Sequence, residues 1–201
     1  LALAVWGLYK LGQRVPVVTP GQLSVPVSAS DHITGNVDSP MTLVEYADLQ
    51  CPACGAYHTQ ILKKLITEEG SKFRFVFRHF PLRTIHQNAD LAAQAVEAAS
   101  LQGKFWEMES LLFERQTTWS NLPKAADTFA IYAKELGLDV DRFKTDMTSN
   151  VVKAKITTDE AGGKAAGINS TPTFFLNGKQ IQNPQSYDVF KSLITTQPTN
   201  S

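Results

Sequence analysis

The sequence predicts an α/β fold in which the strands of a sheet are separated, midway along the chain, by a run of helices. Three patterns carry that expectation. Residues 42–49 form a short apolar strand broken by Glu45, which leads through Cys51-Pro52-Ala53-Cys54 into a stretch with Ile61, Leu62, Leu65 and Ile66 on one helix face. Phe73 to Phe80 alternates apolar with basic or polar residues, the signature of a second strand. Far downstream, Thr173-Phe174-Phe175-Leu176 and Lys179-Gln180-Ile181 flank Asn177-Gly178, the strongest two-residue hairpin signal.

At 201 residues the chain suffices for one sizeable domain or a core with an inserted subdomain. Lys plus Arg and Asp plus Glu each number 19, so the formal charge is zero, and no long basic stripe is present. Nucleic acid is therefore not an expected partner. The chain has two cysteines, both in the Cys-Pro-Ala-Cys motif, so no structural disulfide is possible elsewhere in the monomer.

Taken in order, Leu1 to Gly12 is apolar until Lys10. Its length falls short of the roughly 20 residues a membrane span needs. It reads as the remnant of an N-terminal membrane anchor or signal segment, the expected tether. Residues 13–30, rich in Pro, Ser and Val, read as an extended linker. His32 to Asn36 reads as a short strand entering a turn, and Asp38-Ser39-Pro40 punctuates before strand 42–49. The helix that follows closes at Gly70, and Pro81 ends strand 73–80.

From Ile85 to about Gly167 the pattern is helical. An Ala-rich helix capped by Asn88 or Asp90 stops at Gly103, and Phe105, Met108 and Leu112 mark a helix running to about Gln116. Phe129, Tyr132, Ala133 and Leu136 mark another, from near Pro123 to Gly137. Phe143 and Met147 lie on a short helix opened by Asp139 or Asp141, and a final helical stretch runs from about Val151 to Gly162 or beyond. Pro184 to Ile194 reads as a closing helix and residues 197–201 as a polar tail.

The chemistry centres on Cys51 and Cys54. A helix N-terminus presents unpaired N–H groups and about half a positive charge, which lowers a thiol's pKa below the free value of about 8.5. Pro52 suits the first helical turn, where its missing N–H costs no helical bond. Spacing i, i+3 places both sulfurs on one side of the turn, so a disulfide can open and close. Cys51 is the expected nucleophile and the more exposed sulfur; Cys54, one turn inside, is expected to resolve the mixed disulfide. Glu45 lies in an otherwise apolar strand, where a buried carboxylate would have a raised pKa and could exchange a proton with Cys54. The competing reading of Glu45 is a solvent-facing residue at a strand edge. His58, four residues after Cys54, allows a metal-binding reading with Cys51 and Cys54, but a site of that kind needs further ligands and no other Cys is available. His32, His79 and His86 read as structural. The reaction calls for no metal and no cofactor.

The blocks Glu45-Tyr46-Ala47-Asp48-Leu49-Gln50-Cys51-Pro52-Ala53-Cys54, Phe77-Arg78-His79-Phe80-Pro81-Leu82 and Ser170-Thr171-Pro172-Thr173-Phe174-Phe175-Leu176-Asn177-Gly178-Lys179 resemble the DsbA-like thiol:disulfide oxidoreductases of the thioredoxin superfamily, in the family's order and over roughly residues 31–195. The resemblance implies a thioredoxin-like fold with an inserted α-helical subdomain: a core of residues 31–84 and 168–196, and an insertion over 85–167. It implies that Pro172 is a cis-proline packed against the cysteines and that Thr171 lies over the Cys51 sulfur, where a hydroxyl could donate to the thiolate. It places an acid at the offset of Glu45. It implies a bacterial, extracytoplasmic enzyme that oxidises unfolded or reduced exported proteins and passes electrons to a membrane quinone-linked partner; the N-terminal tether and spacer suit such an enzyme held at the membrane. Ala53 departs from the His of the family's best-known motif and supplies no charge, which leaves a reductase or isomerase open as the alternative to an oxidase.

Overall fold

The computed structural model describes residues 21–196. The expected anchor at 1–12, the first part of the linker and the polar tail lie outside the described residues.

Five strands form one sheet in the order β1-β3-β2-β4-β5, where β1 is His32–Gly35, β2 Thr42–Ala47, β3 Arg74–His79, β4 Thr173–Leu176 and β5 Lys179–Ile181. β2 runs parallel to β3 and antiparallel to β4, so it sits at the centre of the sheet and all six of its residues are buried. Asn177 and Gly178 both have positive φ, 49° and 81°, the geometry an Asn-Gly hairpin demands.

Strand alternation sorts the buried side chains to two faces. Leu43, Ala47, Phe75, Phe77, Phe174 and Leu176 join the larger apolar cluster, with both cysteines. Val44, Tyr46, Val76 and Phe175 join a smaller cluster on the other face, with Phe80 and Ile168. Helices α1 (Pro52–Tyr57) and α2 (Lys63–Glu69) cover the larger face, joined by a π-helical turn over His58–Leu62. The sequence predicts one uninterrupted helix here. The Thr59 hydroxyl donates to the Gly55 carbonyl at 2.8 Å, a local side-chain bond that competes with the regular helical ladder.

The insertion comprises α3 (Ala89–Ser100), α4 (Phe105–Glu114), α5 (Gln116–Trp119), α6 (Ala125–Glu135), α7 (Val140–Met147) and α8 (Asn150–Ala165). α9 (Tyr187–Thr196) closes the chain. Asp139 caps α7, accepting from the Arg142 N–H at 2.9 Å. Asn88 occupies the N-cap of α3 but makes no side-chain cap. Its amide instead donates to the carbonyls of Trp119, Ser120 and Leu122, bonding the start of α3 to the segment around α5.

The expected linker differs where it is described. Residues 21–30 lie on the core rather than hanging free: Gln22 bridges to Lys179, the Ser24 hydroxyl donates to the Gly162 carbonyl at 2.5 Å, and Arg78 donates to the carbonyls of Val25 and Pro26. The guanidinium also pairs with Asp31 at 2.7 Å and donates to the Tyr46 hydroxyl at 3.0 Å. A basic residue within strand 73–80 thus finds its partners in a segment whose composition suggests only a spacer.

Candidate active site

β2 ends at Ala47, and the turn that follows is held by Asp48. Its carboxylate accepts from the N–H of Gln50 at 2.8 Å and of Leu82 at 2.9 Å, and faces His86 Nδ1 at 2.6 Å. Its carbonyl accepts the Cys51 N–H at 3.0 Å. The turn delivers Cys51 to the N-cap of α1, with Pro52 just inside the helix. On the insertion side, Gln116 Nε2 donates to the carbonyls of Leu49 at 2.7 Å and Cys51 at 2.9 Å. Gly55 permits that approach, because a Cβ there would come within 2.9 Å of Gln116 Oε1. Asp48 and Gln116 have no assigned part in the sequence reading. A buried acid in the strand exit is a weak signal for the first; nothing in the spacing points to the second.

Both cysteines are free thiols. Cys51 is lowered to about 5, foremost by the neighbouring Cys54 thiol, against the opposing cost of burial, with help from the Thr171 hydroxyl and the backbone N–H groups of Cys54 and Ala53. Ala53 therefore contributes its N–H and no charge. Cys54 is fully buried, and burial first, then the Cys51 sulfur, pushes its thiol well above the ordinary range. The exposure difference has the expected sense but is small, 7% against 0%.

The Thr171–Pro172 peptide bond is cis, and the Cys51 thiol donates to the Thr171 carbonyl at 3.4 Å. The Thr171 hydroxyl is buried without a hydrogen-bond partner of its own. The protonated thiol thus bonds the backbone carbonyl, while the Thr171 hydroxyl bears on the thiolate, the form it helps to stabilise. Glu45 is buried, not at a solvent-facing edge, and its place on β2 directs it to the face that holds the cysteines. Burial first, then the charges of Glu109 and Cys51, push its carboxyl well up.

His58 is not gathered with the cysteines. Its Nδ1 faces Glu109 Oε1 at 3.2 Å and its Nε2 faces Ser110 Oγ at 3.1 Å, and the ring stacks on Phe113. Among the described residues no group of three or more His, Cys, Asp or Glu could hold a metal ion, so the Cys51-Cys54-His58 reading lacks its geometry. The histidines read as structural form pairs: His32 and His79 both bond Glu97 Oε1, at 2.7 and 2.8 Å, and His86 bonds Asp48. No described helix is long and apolar enough to cross a membrane.

A family model described as Thioredoxin matches residues 28–196. Among solved structures, BdbD from Bacillus subtilis superposes with a TM-score of 0.74 at 25% identity, covering 88% of this chain and 96% of that one. Wolbachia pipientis alpha-DsbA1 shares the fold with a TM-score of 0.74 at 22% identity, over 88% of this chain and 94% of that one. Curated sequence relatives include proteins named Na(+)/H(+) antiporter NhaA from Salinispora arenicola, 34% identical over 97% of this chain, and Salinispora tropica, 36% identical over 96%. The chain spans only 31% and 30% of those relatives' length. A five-stranded sheet with helices between its third and fourth strands, a Cys-Pro-Ala-Cys motif at a helix N-terminus and a family match over residues 28–196 place this chain in the thioredoxin family.

Proposed function

We propose that this chain is an extracytoplasmic thiol:disulfide oxidoreductase that introduces disulfides into exported proteins through Cys51 and Cys54. The supporting observation is the opposed environment of the two sulfurs: Cys51 sits at the N-cap of α1 with its thiol lowered to about 5, and Cys54 is fully buried with its thiol pushed up. A substrate thiolate attacks Cys51 of the enzyme disulfide, the Cys51–Cys54 bond breaks, and Cys54 leaves. Its raised pKa requires it to take a proton, and Glu45, itself protonated, gives one. A second substrate thiolate then attacks the substrate sulfur of the mixed disulfide and expels Cys51. Two electrons have passed to the enzyme dithiol, and Cys51, the sulfur with the lower pKa, is the good leaving group. The Thr171 backbone, beside the cis bond, is the expected pairing edge for the substrate strand. Reoxidation is assigned to a membrane quinone-linked partner, and residues 1–12 to the membrane tether.

The potential of the Cys51–Cys54 couple in glutathione buffers, read by thiol alkylation, tests this. An oxidase is expected to lie near the strong-oxidant value of about −120 mV; a result near about −270 mV overturns the oxidase assignment. Ala53 favours that second reading, a reductase or isomerase, because it adds no cation to stabilise the reduced form.

A further inference from the structure

Two glutamines cross between the Cys51 turn and the helices that separate β3 from β4, one in each direction. Gln50, buried beside the nucleophile, donates from Nε2 to the Ser120 carbonyl at 2.8 Å and accepts the Asn88 N–H on Oε1 at 2.6 Å. Gln116, at the start of α5, reaches back, and its Nε2 donates to the carbonyls of Leu49 at 2.7 Å and Cys51 at 2.9 Å. Both hydrogens of that amide are thereby engaged by the two residues that bracket Gln50. The Cys51 carbonyl also accepts the Gly55 N–H at 3.1 Å, a helical bond of α1, so Gln116 fills its second acceptor position. Cys51 stands at the N-cap with φ −68° and ψ 121°. An N-cap side chain meets the N–H groups of the second and third helical residues, here Ala53 and Cys54. Rotation about ψ of Cys51 turns its carbonyl and those N–H groups together relative to the sulfur. Whatever fixes the direction of the carbonyl therefore fixes how the helix meets the sulfur. Gly55 leaves room for the clamp, since a Cβ there would come within 2.9 Å of Gln116 Oε1 and 3.2 Å of its Nε2.

We infer that Gln116 is a positioning residue for the nucleophile: its amide, lying against the bare backbone of Gly55, fixes the Cys51 carbonyl and so keeps the N–H groups of Ala53 and Cys54 directed at the Cys51 sulfur. This rests on the redox reading above and deepens it, by naming what orients the nucleophile when residue 53 carries no charge. Two effects share one sign. A donor on the Cys51 carbonyl offsets the negative end of that dipole, which stands on the residue bearing the thiolate. N–H groups already held in place meet the charge without reorganising as it forms. Both favour the thiolate over the thiol. The disulfide carries no such charge, so the clamp stabilises the ionised dithiol more than the disulfide. A bond that only tied the turn to α5 would stabilise both redox states alike, and that difference separates a positioning role from a structural one. Gln116 acts through the Cys51 backbone and not on the sulfur itself.

The test is the thiolate absorbance titration of Cys51 in the reduced full chain, with the Cys51–Cys54 potential in glutathione buffers measured beside it. Gln116→Met keeps the length of the side chain and removes both donors. It is expected to raise the Cys51 pKa by about one unit, a tenfold change in ionisation. The potential is expected to fall by about 30 mV, the equivalent of tenfold for a two-electron couple. Gly55→Ala leaves Gln116 in the chain but displaces its amide. It is expected to raise the Cys51 pKa in the same direction and to add nothing in the Gln116→Met background. Asp139→Ala removes the cap of α7, elsewhere in the same run of helices, and is expected to lower the urea midpoint with the titration unmoved. A Cys51 titration unmoved in Gln116→Met overturns the inference and leaves the redox reading standing, whatever happens to the urea midpoint. Should Gln116→Met fail to fold, Gly55→Ala carries the same decision, and an unmoved titration there overturns the inference. The titration needs no turnover. Cysteines that do not exchange with glutathione would therefore overturn the redox reading, while the titration still decides the part of Gln116.

Discussion

The two faces of the sheet bury charge in opposite ways. On the face of Val44 and Tyr46, Arg78 is 2% exposed and every direction of its guanidinium is used: Asp31 takes two bonds, and the Tyr46 hydroxyl and the carbonyls of Val25 and Pro26 take the others. On the face of the cysteines, Glu45 is equally buried, and one carboxyl oxygen is left without a partner. A satisfied buried ion pair fixes geometry and costs much when one partner is removed. A buried carboxyl with an unpartnered oxygen is a standing cost to the fold, and costs of that kind collect where protons must move. The comparison separates a buried charge that holds the chain in place from one that is available for chemistry.

The largest effect that sharpens this contrast comes from Arg78→Leu. It leaves Asp31 buried without its cation and releases the segment before β1, so urea unfolding should show a loss of about 3–5 kcal/mol. The Cys51 titration, on the other face, should be unchanged; a shift there would show that the faces are not independent. Glu97 comes next, a buried acid with its partners in place. Its bonds to His32 and His79 outweigh burial and hold its carboxyl below the usual range. A lowered carboxyl contributes stability that is complete above the unfolded value of about 4.3 and shrinks as pH falls below it toward the folded value. Glu97→Gln should therefore cost about 1.5–3 kcal/mol near neutral pH, the range for hydrogen bonds to charged groups, and less as pH falls below about 4.

Glu45→Leu should act with the opposite sign, gaining about 1–2 kcal/mol by removing an unsatisfied buried carboxyl from an apolar face. It should also slow the step in which Cys54 takes up its proton. A loss of stability on this substitution would show that Glu45 is structural, like Arg78.

How far the sequence carries differs between these residues for a physical reason. Cys51, Cys54 and Glu45 are legible from local pattern, a strand feeding a helix and an acid in an apolar run, whereas Pro172 is singled out by the family resemblance alone. β2 and β3 read well because period-2 alternation decides which side chains face the helices. Glu109 and Gln116 are not legible as site residues. Each comes from the helices between β3 and β4, more than 50 positions from the motif, Glu109 bearing on the Glu45 carboxyl through its charge and Gln116 donating to the carbonyls of Leu49 and Cys51, and no spacing rule connects them. The docking of residues 21–30 is likewise decided by a partner distant in sequence, Arg78.

The smallest effect is the most discriminating for the nucleophile. Thr171→Val keeps the shape of the side chain and the backbone carbonyl that accepts the Cys51 thiol at 3.4 Å, and removes only the buried hydroxyl. With Cys51 protonated, that hydroxyl has no partner, so its loss should leave the reduced protein at low pH as stable or more stable by under about 1 kcal/mol. With Cys51 ionised, the hydroxyl can turn its proton toward the sulfur and is one of the groups that lower the thiol to about 5. Its loss should then raise the Cys51 pKa, seen as a shift to higher pH of the thiolate absorbance titration. The sign for stability follows: a lowered thiol stabilises the reduced fold as pH rises from about 5 toward the unfolded value near 8.5, and the valine form should gain less over that window. An unmoved titration would leave the Cys54 thiol and the N–H groups of Ala53 and Cys54 to stabilise Cys51 without help from Thr171, so that residue 171 would act at the site through its backbone alone.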